Sequence, residues 1–362
     1  MKFKDLSPFF GYIYVSLAAI AYGISTPFSK VFLDFINPLV LSGWFYFFSG
    51  LSLFWSFIKK IPSDKESIKK ADIKILIPII ISGSIAAPFF IFLGLRTTPA
   101  FQASLYLNFE VVFTILVALL IFKARITKKV GLGIVIVIVF LMLWSINFNV
   151  FRIFENFNLG IIFILLGCLG YSIDNNLTES LGNKYAPRLT ALKGFFGGLF
   201  SLGVAILLGY QLFFSIGEFL FIFFIGIVSY GISIILFINS LQLIGTIKTT
   251  TIFSTAPFLG SIFSVLILSE PIYWGDVVVF FITLIGIYLI ISDKHVHYHS
   301  HGIVLHSHPI EPGDIHHQNI ILARDKTKFG ENEKIQHIHK PERHKHSHNH
   351  DSHHEHEESK DT

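Results

Sequence analysis

The chain has 362 residues, of which 52% are hydrophobic and 14% are charged, and its formal net charge is +4. An ordinary soluble domain carries about 25% charged residues, so this composition excludes a wholly soluble enzyme. The weak net charge gives no reason to expect a nucleic-acid partner. The one cysteine, Cys168, lies in an apolar run, which excludes both a disulfide framework and a thiolate metal site.

Long apolar runs separated by short polar clusters fill residues 9–292. A spanning helix needs about 20 mostly apolar residues to cross a hydrocarbon core of about 30 Å. A soluble helical bundle is the alternative, but the run 130–144 has no polar face of the kind that water requires. We therefore predict an all-α integral membrane protein with ten spans, at residues 9–30, 38–58, 74–95, 99–122, 128–147, 158–180, 188–209, 213–239, 246–268 and 272–292.

Lysine and arginine are distributed unevenly between the predicted loops. If the amino terminus is inside, the cytoplasmic loops hold most of them, and the outer side holds Lys30, Arg96 and Arg152. Positively charged loops favour the cytoplasmic side. The even number of spans then predicts a multi-pass protein of the cytoplasmic membrane with both termini in the cytoplasm.

The sequence also repeats itself. A shift of 147 positions overlays residues 103–144 on residues 250–291, and each segment reads as a helix, a short polar link and another helix. This predicts two five-helix repeats, at 9–147 and 158–292. Because five is an odd number, the repeats have opposite topology in the membrane. Inverted repeats are typical of secondary transporters, which bind their substrates near the midplane between the halves.

The repeat and a few motifs resemble the EamA-type branch of the drug/metabolite transporter superfamily. The motifs are Tyr22-Gly23 in the first span and Pro257 followed 13 residues later by Glu270. The resemblance covers roughly residues 10 to 292. It implies transport of a small solute across the cytoplasmic membrane without ATP, by a monomer or a homodimer, and it implies no particular substrate.

The first half departs from the family pattern, because Glu110 and Lys123 stand where Pro and Glu are common. Glu110 lies near the midplane of the fourth span, where an ionisable side chain is costly and therefore suggests a function. It is a candidate for taking up and releasing a proton in each cycle. The alternative is a permanently protonated or hydrogen-bonded glutamate that joins two helices. Asn108 is close in sequence but points elsewhere around the helix, and Pro257 occupies the position of Glu110 in the second half.

A second polar group crosses from the sixth span to the seventh. Asp174, Asn175 and Asn176 lie near the predicted cytoplasmic end of the sixth span, and Lys193 lies on the seventh. Asp174 and Lys193 are about equally far from the connecting turn, so antiparallel helices place them within reach of a salt bridge. The pair is either a clamp of this hairpin or part of a substrate or gating site. The aromatic run 45–48 is predicted to face lipid.

All 17 histidines lie from residue 295 onward. Residues 293–362 are polar and charged, which predicts a disordered cytoplasmic tail. His-rich tracts are typical of transition-metal binding, here of Zn, Ni, Co or Cu, although no cofactor is predicted to be required for transport. The candidate ligands are His295, His297, His299, His301, His306, His308, His344, His346, His348, His350, His353, His354 and His356.

Three functions remain open at this point. The first is a secondary transporter of a small metabolite, with proton coupling through Glu110 as a further hypothesis. The second is a transition-metal transporter loaded or regulated by the tail, against which the spans contain no histidine. The third is a membrane metal sensor. No enzymatic constellation occurs among the polar residues of the spans, so catalysis is not predicted.

Overall fold

The structure is a computed structural model. It describes residues 7–58, 68, 70–121, 126–145, 158–181, 186–244 and 246–292, and within the tail residues 295–300, 304–309, 334–339 and 343–348. Two compact units are present, residues 1–293 and residues 294–362. The described part of the first unit consists of helices joined by short turns.

The first half begins with a helix broken at Ile24 and ends near residue 145. Its α-helices are α1 Ser7–Gly23, α2 Ser25–Leu33, α3 Pro38–Ser52, α4 Ile73–Ile79, α5 Ala87–Thr97, α6 Ala100–Tyr106, α7 Phe109–Ile121 and α8 Lys128–Ser145. Short 3₁₀ turns lie at Phe54–Phe57 and Lys70–Asp72, and a π-helical segment at Ile80–Ala86 joins α4 to α5.

The second half has a similar order of helices. They are α9 Leu159–Ser180, α10 Ala186–Leu207, α11 Ile216–Ile225, α12 Ser233–Ile244, α13 Thr246–Phe253, α14 Ala256–Leu268 and α15 Trp274–Ile291. A π-helical segment at Gly226–Ile232 joins α11 to α12. The helix α11 begins with a capping box, in which Ser215 and Glu218 each bond to the other's backbone amide.

Among the described residues, nine helical runs are long and apolar enough to cross a membrane. Each overlaps one of the predicted spans, so the prediction of a multi-pass, all-helical membrane protein is confirmed. The remaining predicted span, 128–147, coincides with α8, which packs against α15 but is not among the nine. The total of ten spans therefore stays a prediction.

The fourth span of each half is broken in its middle, where the sequence predicts a continuous helix. α6 ends at Tyr106 and α7 begins at Phe109, and 147 positions later α13 ends at Phe253 and α14 begins at Ala256. At both breaks, short polar side chains form hydrogen bonds with backbone groups and so compete with the hydrogen bonds of a continuous helix. The Asn108 amide donates to the Leu105 carbonyl at 2.9 Å. At the second break, Ser254 and Thr255 donate to the carbonyls three residues before them.

The two π-helical segments also correspond, because they begin 146 positions apart in the third span of each half. π-helical turns widen a helix and are frequent at functional sites. The segment 80–86 contains Gly83, and a Cβ atom there would overlap the Asp174 carboxylate. The segment 226–232 contains Tyr230, whose ring contacts rings of the first and second spans. Both segments therefore face the polar centre of the bundle.

Close contact between α3 and α10 joins the two halves. A Cβ atom on Gly50 would lie 2.2 Å from the Phe195 amide nitrogen, and one on Gly198 would lie 2.3 Å from that of Phe47. Small residues permit this approach of two backbones. The prediction that the run 45–48 faces lipid is wrong for Phe45 and Phe48, which are 0% and 5% exposed. They are buried because the Phe45 ring packs on Phe92 and Tyr230, and the Phe48 ring packs on Phe219 and Phe223.

The described part of the tail forms four strands, β1 His295–Ser300, β2 Val304–Pro309, β3 Lys334–His339 and β4 Arg343–His348. β1 pairs with β4 and β2 with β3, both antiparallel. These segments differ from the prediction of disorder, because an alternating His-x-His pattern has the period of two that a strand requires. Two-stranded sheets are marginal by themselves. For the rest of the tail, disorder stays a prediction.

Candidate functional site

Glu110 lies in the first turn of α7, immediately after the break in the fourth span. The amino terminus of a helix carries a partial positive charge, which favours a carboxylate there. The Asn175 amide donates to Glu110 Oε1 at 3.0 Å. Tyr22, Tyr46 and Cys168 are close enough to interact with the carboxylate electrostatically. Glu110 therefore faces three neighbouring helices at the centre of the bundle.

Hydrogen bonds join α7 to α9 around this carboxylate. Ser172 Oγ donates to the Glu110 carbonyl at 3.0 Å, and the Asn176 amide donates to the Thr114 carbonyl at 3.1 Å. Asn176 is 4% exposed, so its amide is a buried helix-to-helix contact. The neighbouring Asn175 is exposed, and its amide reaches the carboxylate itself. Of these two asparagines, Asn175 contacts the carboxylate and Asn176 joins the two helices.

The predicted salt bridge between the sixth and seventh spans is present. Lys193 Nζ lies 2.6 Å and 2.7 Å from the two carboxylate oxygens of Asp174. Thr178 Oγ1 donates to Asp174 Oδ1 at 2.9 Å, and Gly83 leaves the space that the carboxylate occupies. Both groups interact electrostatically with Glu110. The pair joins α9 to α10 and lies within electrostatic reach of the Glu110 carboxylate, so a clamp and a part of a binding site are both compatible with it.

Tyrosines from four spans lie near the centre of the bundle, and none of them was predicted from the sequence to belong to the site. The hydroxyls of Tyr46 and Tyr171 lie 2.7 Å apart. The ring of Tyr230 lies 5.8 Å from those of both Tyr22 and Tyr46. The chain has 40 Phe and 12 Tyr, so a tyrosine inside a span is the less common choice. Its hydroxyl needs a hydrogen-bond partner, which Phe does not, and this could have indicated a polar centre.

A small cavity lies among these tyrosines. Tyr22, Tyr171 and Tyr230 line it, together with the polar side chains of Ser25 and Thr26. Its other walls are apolar and come from the third, fourth and sixth spans, namely Ile91, Phe92, Leu95, Ala103, Leu107 and Ile164. The arrangement offers an aromatic and apolar chamber with hydroxyls on one side.

At one end of the bundle, side chains from distant parts of the chain bind the turn between the third and fourth spans. Lys30 Nζ donates to the carbonyls of Leu95, Arg96 and Thr98 at 2.7, 3.0 and 2.9 Å. The amides of Ala100 and Phe101 donate to Glu270 at 2.7 and 2.8 Å. A lysine thus caps the end of α5 and a glutamate caps the start of α6, each at the helix terminus that its charge favours. We name these residues the turn clamp: Lys30, Glu270 and the turn 95–101.

The two other candidate residues in the spans, Asn108 and Pro257, take part in hydrogen bonds within their own spans. Asn108 is 1% exposed and donates to the carbonyl of Leu105 within its own turn. Pro257 is in the first turn of α14, at the position that Glu110 occupies in α7, and its carbonyl accepts from Ser261 Oγ at 3.3 Å. A proline suits this position because it lacks the amide that a first turn leaves unbonded.

Metal binding by the tail histidines stays a prediction. His301, His350, His353, His354 and His356 lie outside the described residues, and the others that the structure includes are placed by their backbone. In the part of the chain whose side chains the structure describes, no group of three or more His, Cys, Asp and Glu is positioned to hold a metal ion.

Comparisons with known proteins agree with this architecture. The model of the EamA-like transporter family matches the chain twice, at residues 9–146 and 158–292. An uncharacterized transporter of Methanothermobacter thermautotrophicus is 28% identical over 276 residues, which cover 72% of this chain and 80% of that protein.

A protein of known crystal structure has the same fold, with a TM-score of 0.55 at 12% identity, over 79% of this chain and 97% of that one. The family model accounts for both helical halves, including the motifs that carried the resemblance. The protein is therefore a multi-pass membrane transporter of a small solute and belongs to the EamA-like transporter family.

Proposed function

We propose that this protein is a secondary-active carrier that binds its solute between two inverted halves and couples transport to protons through Glu110. Both halves would contribute to one site at the midplane, and both termini would lie in the cytoplasm. The turn clamp would then close the outer side. The solute would enter from the opposite side in the conformation described.

The observation that carries the proposal is the pair of broken helices. The breaks after Tyr106 and Phe253 are 147 positions apart, and each brings the start of a half-helix into the polar centre. Discontinuous helices at corresponding positions are typical of the substrate and ion sites of inverted-repeat carriers. A carboxylate stands at one half-helix start and a proline at the other. The two halves therefore differ at the position where a proton could be carried.

Alternating access can be tested without knowing the solute. Thr26→Cys places a thiol in the cavity, and Cys168→Ser removes the natural one. A membrane-impermeant methanethiosulfonate is applied to right-side-out and to inside-out vesicles. We expect labelling from both sides, with a ratio that changes with pH, because protonation of Glu110 would shift the two conformations.

Two variants test alternating access and proton coupling through Glu110 separately. When Glu110→Gln is added, Thr26→Cys is expected to be labelled from both sides, with a ratio that does not change with pH. Glu218→Gln, the same substitution in the capping box of α11, is expected to behave as the parent. Labelling from one side under all conditions would contradict alternating access. A pH response that survives in Glu110→Gln would contradict coupling through that residue.

We also propose that the tail binds a transition metal and regulates the carrier. The strand register supports this proposal, because the histidines at alternate positions of β1 stand opposite the histidines at alternate positions of β4. The facing pairs are His295 with His348, His297 with His346 and His299 with His344. Residues directly opposite in such a pair have Cβ atoms about 4.5–5.5 Å apart, which suits a shared ion.

Deletion of residues 293–362 tests this proposal. The full chain is expected to bind Ni²⁺ in equilibrium dialysis, and the truncated chain to lose that binding. Ni²⁺ is expected to change the rate of Thr26→Cys labelling in the full chain alone. Equal Ni²⁺ binding by both chains would contradict a metal site in the tail.

A further inference from the structure

Among the described ionisable groups at the centre of the bundle, one negative charge is not neutralised. The carboxylate of Asp174 contacts Lys193 through both oxygens, so these two charges offset each other. Glu110 has the amide of Asn175 as its side-chain partner, and no described cationic group lies within salt-bridge distance of it. The site therefore carries a net charge of about −1 when Glu110 is ionised.

The other described cations of this region are engaged away from Glu110. Lys30 donates to the carbonyls of the turn clamp. Arg188 donates to the carbonyls of Ser56 and Phe57 at the opposite end of the bundle. Lys248 lies 5.9 Å from the ring centre of Tyr12. Each of these contacts holds its cation at an end of a span, so none of them brings a positive charge into the centre.

Tyrosine rings lie near this negative charge, and one of them, Tyr22, also lines the cavity. Tyr22 and Tyr46 lie within electrostatic reach of Glu110, and Tyr22, Tyr171 and Tyr230 line the cavity. A cation over an aromatic ring gains about 0.5–2 kcal/mol, most where water is excluded. The apolar walls of the cavity favour a ligand with a hydrocarbon body rather than a bare ion.

We infer that this site takes an organic cation: a protonated amine on an apolar or aromatic body, with the ammonium group bound by Glu110 and the tyrosines. The inference rests on the proposed carrier function and gives it a substrate class. A carboxylate ligand would place a second negative charge beside Glu110, and Lys193 is already bound to Asp174. A transition-metal ion would require several ligand side chains, and no group of three or more His, Cys, Asp and Glu among the described residues is positioned to hold one.

Three compounds of similar size and different charge test the inference. They are phenethylammonium, 2-phenylethanol and 3-phenylpropanoate, and binding to the purified full chain is measured at neutral pH by the shift in melting temperature. The cation is expected to bind about tenfold or more tightly than the neutral alcohol, and the carboxylate most weakly. The cation is also expected to slow labelling of Thr26→Cys, because that position lines the cavity.

Substitutions at Glu110 test whether its carboxylate recognises the positive charge of the ligand. Glu110→Gln is expected to bind the cation and the alcohol about equally, whereas Glu110→Asp, which keeps the charge, retains the preference. Glu218→Gln is the matched control and is expected to bind as the wild type does. Comparing the two Glu110 variants removes the effect of a general loss of folding.

Tighter binding of the carboxylate, binding of none of the three compounds, or an unchanged cation preference in Glu110→Gln would overturn the inference. The labelling of Thr26→Cys from both sides needs no ligand. If that labelling occurs and the cation preference is absent, the substrate class is wrong and the carrier function stands. If labelling is confined to one side, the carrier function itself fails.

Discussion

At the residue scale, the polar centre of the bundle contains three charged side chains, of which Lys193 pairs with Asp174 and Glu110 accepts a hydrogen bond from Asn175. Glu110, Asp174 and Lys193 were visible because ionisable groups are rare in apolar spans. Equal distances from a turn also predicted the contact of Asp174 with Lys193. The roles of Asn175 and the tyrosines depend on which side of each helix faces inward. A uniformly apolar helix carries no pattern that indicates its inward face.

The buried salt bridge leads to a prediction about stability. The side chains of Lys193 and Asp174 are 18% and 7% exposed. Lys193→Met leaves the carboxylate without its cation, which costs about 3–5 kcal/mol for a buried pair. We expect a clear fall in the melting temperature, and the double variant with Asp174→Asn to recover much of it. Thermal unfolding of the purified variants measures both.

Lys248→Met is the control for that comparison, because it makes the same change at an exposed lysine. It is expected to leave the melting temperature close to that of the wild type. A double variant no more stable than Lys193→Met would mean that the charge pair is not what stabilises this hairpin.

At the element scale, hydropathy located the spans but not the interruptions within them. The fourth span of each half is apolar enough on average to be predicted as one helix, and its break coincides with one asparagine in the first half and with a Ser-Thr pair in the second. A continuous helix satisfies the same hydropathy. The π-helical segments 80–86 and 226–232 were hidden for the same reason.

The close packing of glycines of α10 against α3 leads to a prediction about stability. A Cβ atom on Gly198 would lie 2.3 Å from the backbone nitrogen of Phe47, whereas one on Gly203, five residues along the same helix, would meet nothing within 4 Å. Gly198→Ala is therefore expected to lower the melting temperature by separating α10 from α3. Gly203→Ala is expected to leave it unchanged or raise it, since alanine favours a helix by about 1 kcal/mol over glycine. Equal melting temperatures of the two variants would contradict close packing at Gly198.

At the scale of the whole molecule, the turn clamp shows how distant parts of the chain meet. Lys30 comes from the first span and Glu270 from the link before the last, and both bind the turn between the third and fourth spans. In sequence, Lys30 reads as a loop residue and Glu270 as part of a family motif. Their common target could not be predicted, because it depends on helices that are distant along the chain.

The sequence by itself determined that this protein crosses the membrane many times, that its halves repeat and that a charge lies inside a span. The repeat follows from the similarity of two segments of the chain, and the other two conclusions follow from the cost of polar groups in hydrocarbon, which acts on each segment separately. The tertiary structure alone decided that Glu110 meets Asn175 and the tyrosines, and that Lys193 neutralises Asp174. These are contacts between helices, and their geometry depends on which faces pack together rather than on how apolar each helix is.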